Sequence, residues 1–305
     1  MFTAKDVMTL REITQAGMMD CKKALTACEG DLEKAKDFLR EKGLAAVAKK
    51  AGRIAAEGVV AAYKADGVAA IAEVNCETDF VAQNENFKAF VDKIAEQVAK
   101  ANPADVDALL ASDSVAAPGT AVSAMLNEAV LKIGEKISIR RFARMEGILD
   151  TYIHLGGKIG VLVSFDAPES VKDNPEFKTM AHDIAMQIAA AKPSYLHKDQ
   201  VPAEEVEHER EIARAQAKNE EKPKPDAIIE KMLVGRIEKF FKEICLLDQL
   251  FVKDSNLTIA KLVEETGKKL NVTIAVKDFV RFEMGEGLQK REDNFAEEVM
   301  SQTSK

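Results

Sequence analysis

Ile71-Ala-Glu-Val-Asn-Cys-Glu-Thr-Asp-Phe-Val81 is the stretch from which the rest of the chain is read. It opens as an alternating, half-buried strand and stops abruptly at Thr78-Asp79-Phe80-Val81. Thr78 and Asp79 are helix-starting residues, because their side-chain oxygens accept hydrogen bonds from the free amides of a first turn. Phe80 therefore sits on a strand-to-helix turn, where a ring either plugs the strand against its helix or projects from it.

Upstream, residues 59–65 and 68–75 alternate with period two around Asp66-Gly67. That dipeptide signals a two-residue hairpin, since glycine tolerates the positive φ the turn requires. Downstream, Phe87, Phe90, Val91, Ile94 and Val98 form one helical stripe, with Pro103 beyond its end. The unit then recurs after a shift of about 90 residues. Tyr63 falls near Tyr152, Gly67 on Gly157, Asn84 on Asn174, and Phe87 on Phe177. Ile94-Ala95-x-Gln97-x-Ala99 falls on Ile184-Ala185-x-Gln187-x-Ala189. A duplicated hairpin-plus-helix core of two subdomains is the expectation. The copies differ at the turn, where Thr78-Asp79-Phe80-Val81 is replaced by Pro168-Glu169-Ser170-Val171. A unit that folds with Ser170 does not need a ring there, which favours a projecting Phe80.

The flanks read as helical. Residues 1–50 predict a three-helix module: Thr3-Ala-Lys-Asp6 resembles a capping box, Gly17 and Gly30 end the first two helices, Asp31 caps the third, and Gly43 stops it. Met18 and Met19 open the second helix as either core filler or an adaptable contact surface. Residues 44–56, rich in Ala and Lys, read as a helical or flexible tract, with 51–56 as the connector proper. Between the copies, Thr120 starts a helix that stops at Gly134, and a strand-like stretch spans 137–145. Residues 194–226 are acidic and end in Lys222-Pro-Lys-Pro225. They predict a protruding antiparallel coiled-coil hairpin whose greasier return arm carries Ile228, Met232, Leu233, Ile237, Phe240 and Phe241. Residues 257–270 read as helix, 272–276 and 279–284 as strands, Gly285-Glu-Gly287 as a turn, and 294–300 as a short helix capped by Asp293. The fold class is α+β. Core subdomains are expected over 57–145 and over 146–193 with 227–270, and a short C-terminal module over 271–305.

The totals exclude several functions. A chain of 305 residues predicts roughly two domains. Net charge is −8, against the concentrated basic surface that nucleic-acid binding needs; the pairs Lys49-Lys50, Arg140-Arg141 and Lys268-Lys269 read as solvated faces. No apolar run reaches the roughly 20 residues of a membrane span. The beginning shows no signal or transit pattern, so a cytoplasmic location is expected. Four dispersed cysteines form no CxxC pair and fit reduced thiols. No phosphate-cradling loop, GxGxxG or HExxH occurs, so no metal and no cofactor of its own is expected. A Cys76–His154 nucleophile pair would lack an orienting third group; His154 otherwise reads as a hydrogen-bonded sheet histidine. A binding protein with separated contact modules fits better than an enzyme.

Five motifs carry a family likeness. Gly17-Met-Met-Asp-Cys-Lys-Lys-Ala-Leu25, Glu73-Val-Asn-Cys-Glu-Thr-Asp-Phe-Val81 and Lys132-Ile-Gly-Glu-Lys-Ile-Ser-Ile-Arg-Arg141 resemble bacterial elongation factor Ts. So do His182-x-Ile-Ala-Met-Gln-Ile-Ala-Ala-x-Lys-Pro193 and Arg281-Phe-Glu-Met-Gly-Glu-Gly287. The resemblance runs in order over essentially the whole chain. It implies a ubiquitin-associated-like N-terminal module, and guanine-nucleotide exchange on elongation factor Tu without covalent chemistry. By the same resemblance Thr78, Asp79, Phe80 and Val81 intrude beside the partner's nucleotide and dislodge its Mg²⁺, while His154 contacts the partner. Met18 and Met19 are further candidate contacts from their own place on the first turn of the second helix. Glu77 stands where some members carry Gln, and Leu250 where Pro is common. The alternatives are an interaction scaffold using the three-helix module and a thiol enzyme using Cys76.

Overall fold

The computed structural model describes residues 2–14, 16–218 and 225–289. Helices α1 (Ala4–Thr14), α2 (Met18–Ala27) and α3 (Leu32–Lys50) open the chain and bury Leu10, Cys21, Ala24, Leu25 and Ala35 between them. Thr3 and Asp6 cap α1 reciprocally, with the Thr3 amide donating to the Asp6 carboxylate at 2.7 Å and the Asp6 amide to the Thr3 hydroxyl at 3.3 Å. Asp31 caps α3 through the Lys34 amide at 3.0 Å.

The expected stop at Gly43 is corrected, because α3 runs on to Lys50. A Cβ at Gly43 would lie 2.3 Å from Leu131 Cδ1, so glycine here admits a crossing helix instead of ending its own. Beyond it Val47 packs against the first sheet's core, and the Lys50 ammonium donates to the Gly134 carbonyl at 2.6 Å. The tract from residue 44 is thus helical as far as Lys50, the helical of the two forms expected for it.

The next elements are β1 (Glu57–Ala65), β2 (Val68–Cys76), the single turn α4 (Asp79–Ala82), α5 (Glu85–Ala101), α6 (Val106–Ala111), α7 (Val122–Ile133) and β3 (Ser138–Glu146). Asp66 at φ 51° and Gly67 at φ 75° turn β1 into β2, as the dipeptide predicts. Strand β3 returns to β2, giving the antiparallel order β1-β2-β3. Two details differ from expectation. α7 is capped at Ala121, not Thr120, and α6 has no counterpart in the sequence reading.

The second half comprises β4 (Ile148–His154), β5 (Ile159–Asp166), a 3-10 turn at Glu169–Val171, α8 (Pro175–Ala191), α9 (Ala203–Lys218), α10 (Asp226–Ile244), β6 (Leu250–Phe251), β7 (Asp254–Thr258), α11 (Ile259–Leu270) and β8 (Ala275–Glu283). Its main sheet has the order β4-β5-β8. Strand β8 is one element, where two strands were expected. It completes this sheet and so is not part of a separate C-terminal module. Residues 257 and 258, expected to open the helix, end β7 instead, with Thr258 then capping α11. The helix expected at 294–300 and residues 219–224 of the hairpin lie outside the described residues.

The two halves repeat each other down to side-chain bonds. Asn84 caps α5 and Asn174 caps α8, and both helices end on a residue at φ 47°, ψ 54°, Asn102 and Lys192. Gln97 donates to the Asp113 carbonyl at 2.9 Å and accepts from the Val115 amide at 2.7 Å. Gln187 does the same with Leu250 and Val252, at 3.2 and 2.9 Å. Buried amides must find partners, and here each glutamine closes a loop onto its helix.

The sheets meet face to face. Val60, Ala69 and Ile71 pack against Leu162 and Phe282, while α5 covers the far side of the first sheet and α8 that of the second. β2 is accordingly buried on both faces, correcting the half-buried expectation. At the junction Glu73 is fully buried; it pairs with Arg140 at 2.9 Å and Arg141 at 2.6 Å and accepts the Gly285 amide at 2.8 Å. A buried carboxylate needs such partners, so Arg140-Arg141 is not the solvated face expected of it. α9 and α10 pair through Ala213, Ala217, Ile229 and Leu233, which puts Ile229 inside and leaves Ile228 exposed. Among the described residues no helix is long and apolar enough to cross a membrane.

Candidate functional site

The turn after β2 is built in three layers. Thr78 has extended backbone and its hydroxyl accepts from the Val81 amide at 3.3 Å, starting α4 as a cap residue should. Val81 faces the first core and Ala82 is buried, which anchors the turn from below. Phe80, between them, is 85% exposed, and Asp79 is exposed beside it. The core-plug reading of Phe80 is therefore excluded, and the projecting one stands. Left in water, the ring is free to meet a partner.

The turn is clasped from the side by residues the sequence reading did not single out. The Glu135 carboxylate, just past α7, accepts the Glu77 amide at 3.1 Å and the Thr78 amide at 3.0 Å. It also takes the Thr78 hydroxyl at 2.7 Å. Glu77 replies by accepting the Lys136 amide at 2.6 Å and pairing with Arg53 at 3.1 Å. Lys136 in turn donates to the carbonyls of Ala51 and Arg53 at 2.8 and 2.9 Å. The only trace in the sequence is that Glu135 lies within the Lys132–Arg141 motif; a contact between residues 57 positions apart has no local periodicity to reveal it.

Cys76 closes the turn from within. Its thiol donates to the Thr78 carbonyl at 3.2 Å, and burial, aided by the Glu135 charge, pushes its pKa up to about 12. A nucleophilic cysteine needs thiolate near neutral pH, so the thiol-enzyme alternative is overturned.

The other candidates lie elsewhere. His154 ends β4, with Nδ1 2.9 Å from the Tyr152 hydroxyl and its ring 5.7 Å from that of Tyr152. It is a hydrogen-bonded sheet histidine, next to the exposed Leu155 at a hairpin tip whose Gly157 carbonyl accepts the Val60 amide at 2.7 Å. α4 and β4 both pack on β1, but no hydrogen bond or ring contact links His154 to residues 78–81 among the described residues. Met18 and Met19 are 50% and 63% exposed on the first turn of α2, so the core-filler reading fails for both. Among the described residues no group of three or more His, Cys, Asp or Glu is placed to hold a metal.

A family profile described as Elongation factor TS matches residues 77–286, from the clasped turn to the Gly285 junction. Elongation factor Ts of Clostridium novyi (strain NT) is 52% identical over 307 aligned residues, covering 99% of both chains. That of Clostridium perfringens (strain 13 / Type A) is 52% identical over 98% of each chain. That of Clostridium acetobutylicum is 51% identical over 99% of this chain and 98% of its own. With half its residues shared along nearly its whole length, and with the profile matching more than half of it, the chain belongs to the elongation factor Ts family of translation elongation factors.

Proposed function

We propose that the chain is a guanine-nucleotide exchange factor for elongation factor Tu, acting on the GDP-bound form without covalent chemistry of its own. In this reading Phe80 enters a pocket beside the partner's nucleotide. Thr78, Asp79 and Val81 present it, and the partner's phosphate site is distorted until its Mg²⁺ leaves. Burying a phenyl ring is worth about 2–3 kcal/mol. Losing Mg²⁺ removes the largest positive charge opposite the diphosphate. The factor favours the nucleotide-free partner, so by linkage GDP weakens factor binding by the same ratio, and GTP rebinds by mass action.

His154 and Leu155 at the second hairpin, and Met18 and Met19 on a ubiquitin-associated-like N-terminal module, serve as further contacts in this reading. Separate contacts on one chain raise affinity by tethering. The α9–α10 pair acts as a coiled-coil arm. The place of action is the cytoplasm, and neither nucleic acid nor membrane is a direct partner.

The observation that carries the reading is the 85% exposure of Phe80 on a turn that Glu135 holds to the fold through the Glu77 and Thr78 amides and the Thr78 hydroxyl. The test is release of fluorescent GDP from purified elongation factor Tu. Acceleration by the full chain is expected. Binding to Tu without acceleration would replace exchange by the scaffold alternative, and no binding would overturn both.

A further inference from the structure

An exposed ring has no packing to hold it. Phe80 keeps its posture only through the backbone of α4, a four-residue helix. A helix that short is not stable by itself, because nucleation fixes several residues before any hydrogen bond is returned. Something outside the turn must supply the order, and the clasp from Glu135 does so at three points on the two residues leading into α4. Charge-assisted bonds of this kind are about twice as strong as neutral ones.

The corresponding turn of the second half sharpens the point. Pro168 supplies no side-chain cap, and that turn closes on bonds within itself, from the Val171 amide to the Pro168 carbonyl at 3.1 Å, from the Lys172 amide to the Glu169 carbonyl at 3.3 Å, and between the exposed Lys172 and Glu169 side chains at 2.6 Å. Among the described residues, the scaffold thus closes this turn without a carboxylate from another segment. The clasp occurs where the turn carries an exposed phenyl ring.

We propose that Glu135 is a positioning residue for exchange, acting through Phe80 by holding residues 77–78 so that the ring points outward. This rests on the exchange reading above. Glu135 does not contact the partner. It removes alternative conformations of the turn, so that the ring meets its pocket already placed. The Glu77 carboxylate, held by the Lys136 amide and Arg53, locks the same two chain segments from the opposite direction.

The experiment is a double-mutant cycle with a structural readout. Glu135→Gln and Glu135→Ala are made in the full chain, each with Phe80 and with Phe80→Ala. GDP release from elongation factor Tu is measured at saturating factor, and amide hydrogen exchange at Glu77 and Thr78 is measured in the free protein. With Phe80 present, Glu135→Ala is expected to slow release about tenfold, the scale of a small misplacement, with Glu135→Gln intermediate. In the Phe80→Ala background neither should cost anything further, because interacting positions are not additive. Amide protection at 77 and 78 should fall while that of β2 is kept. Normal release from Glu135→Ala, or an equal loss in both backgrounds, overturns the proposal. If the unmutated chain fails to release GDP, the exchange reading falls instead, and unchanged protection at residues 77 and 78 would still refute the clasp. Should Glu135→Ala not fold, Glu135→Gln carries the same comparison.

Discussion

Two turns occupy the same place in the two halves, each leaving the middle strand of a three-stranded sheet. Each sends a valine toward its core: Val81 packs half-buried against the first, and Val171 is buried in the second. Each is followed by an asparagine-capped helix of 17 residues. The turns diverge at the residue before the valine, where the first exposes a phenyl ring and the second carries a serine. They differ again in how they are held, by a carboxylate from another segment in the first and, among the described residues, by backbone bonds and the local Lys172–Glu169 ion pair in the second. What a unit needs in order to fold is what both copies keep. The ring and the clasp lie outside that set, so their purpose is sought outside the fold.

The largest effect expected from this contrast is on exchange. Phe80→Ala should slow GDP release by about 30- to 150-fold, the equivalent of about 2–3 kcal/mol. Its denaturant midpoint should move by less than about 0.5 kcal/mol, the usual range for an exposed site. A large stability loss with normal release would return the ring to the core and end the contrast.

Val171→Ala should do the reverse. It removes buried methyl groups at 6% exposure, so about 2 kcal/mol of stability should go while release at saturation stays normal. Slower release from a folded Val171→Ala chain would mean that the second turn also works on the partner.

Cys76 separates the turns by pH. Its folded pKa of about 12 lies above the ordinary thiol value of 9.0, so the folded state holds the proton more tightly. The stability from its neutral thiol is therefore complete below about pH 9 and is lost as pH rises toward 12. Cys76→Ala should show a flatter alkaline limb in unfolding midpoint against pH, and the unmutated thiol should resist alkylation at pH 8. Rapid labelling in the folded chain would contradict the burial.

The smallest effect is expected from the arm. Ile229 and Leu233 are buried against α9, so removing α9 alone would bare α10, and both arms must be shortened together. Replacing residues 209–234 by a short Gly/Ser turn should leave release within a few-fold of normal. Collapse of exchange in a folded, shortened chain would place some of the site on the arm.

Much of this was legible in the residues because it is local. The Asp66-Gly67 turn, the Asn84 and Asn174 caps, the apolar stripe of α5 and the Thr78 helix start each depend on neighbours within a few positions. The paired Gln97 and Gln187 exposed the duplication, although not why each must be glutamine. The failures share the opposite character. Gly43 looked like a helix stop because its partner Leu131 lies 88 residues on, and β8 looked like two strands apart from the core because its partner β5 lies more than a hundred residues back.

The same division runs through the site. The sequence by itself determined that a phenyl ring stands on a strand-to-helix turn, that its counterpart is serine, and that the motifs resemble elongation factor Ts, since composition, spacing and repeat comparison are properties of the linear chain. Only the tertiary structure decided that the ring points into solvent, that Cys76 is sealed beneath it, and that Glu135 grips the turn. Exposure, desolvation and hydrogen bonding between distant segments depend on distances that exist only once β2, α7 and β3 have packed together.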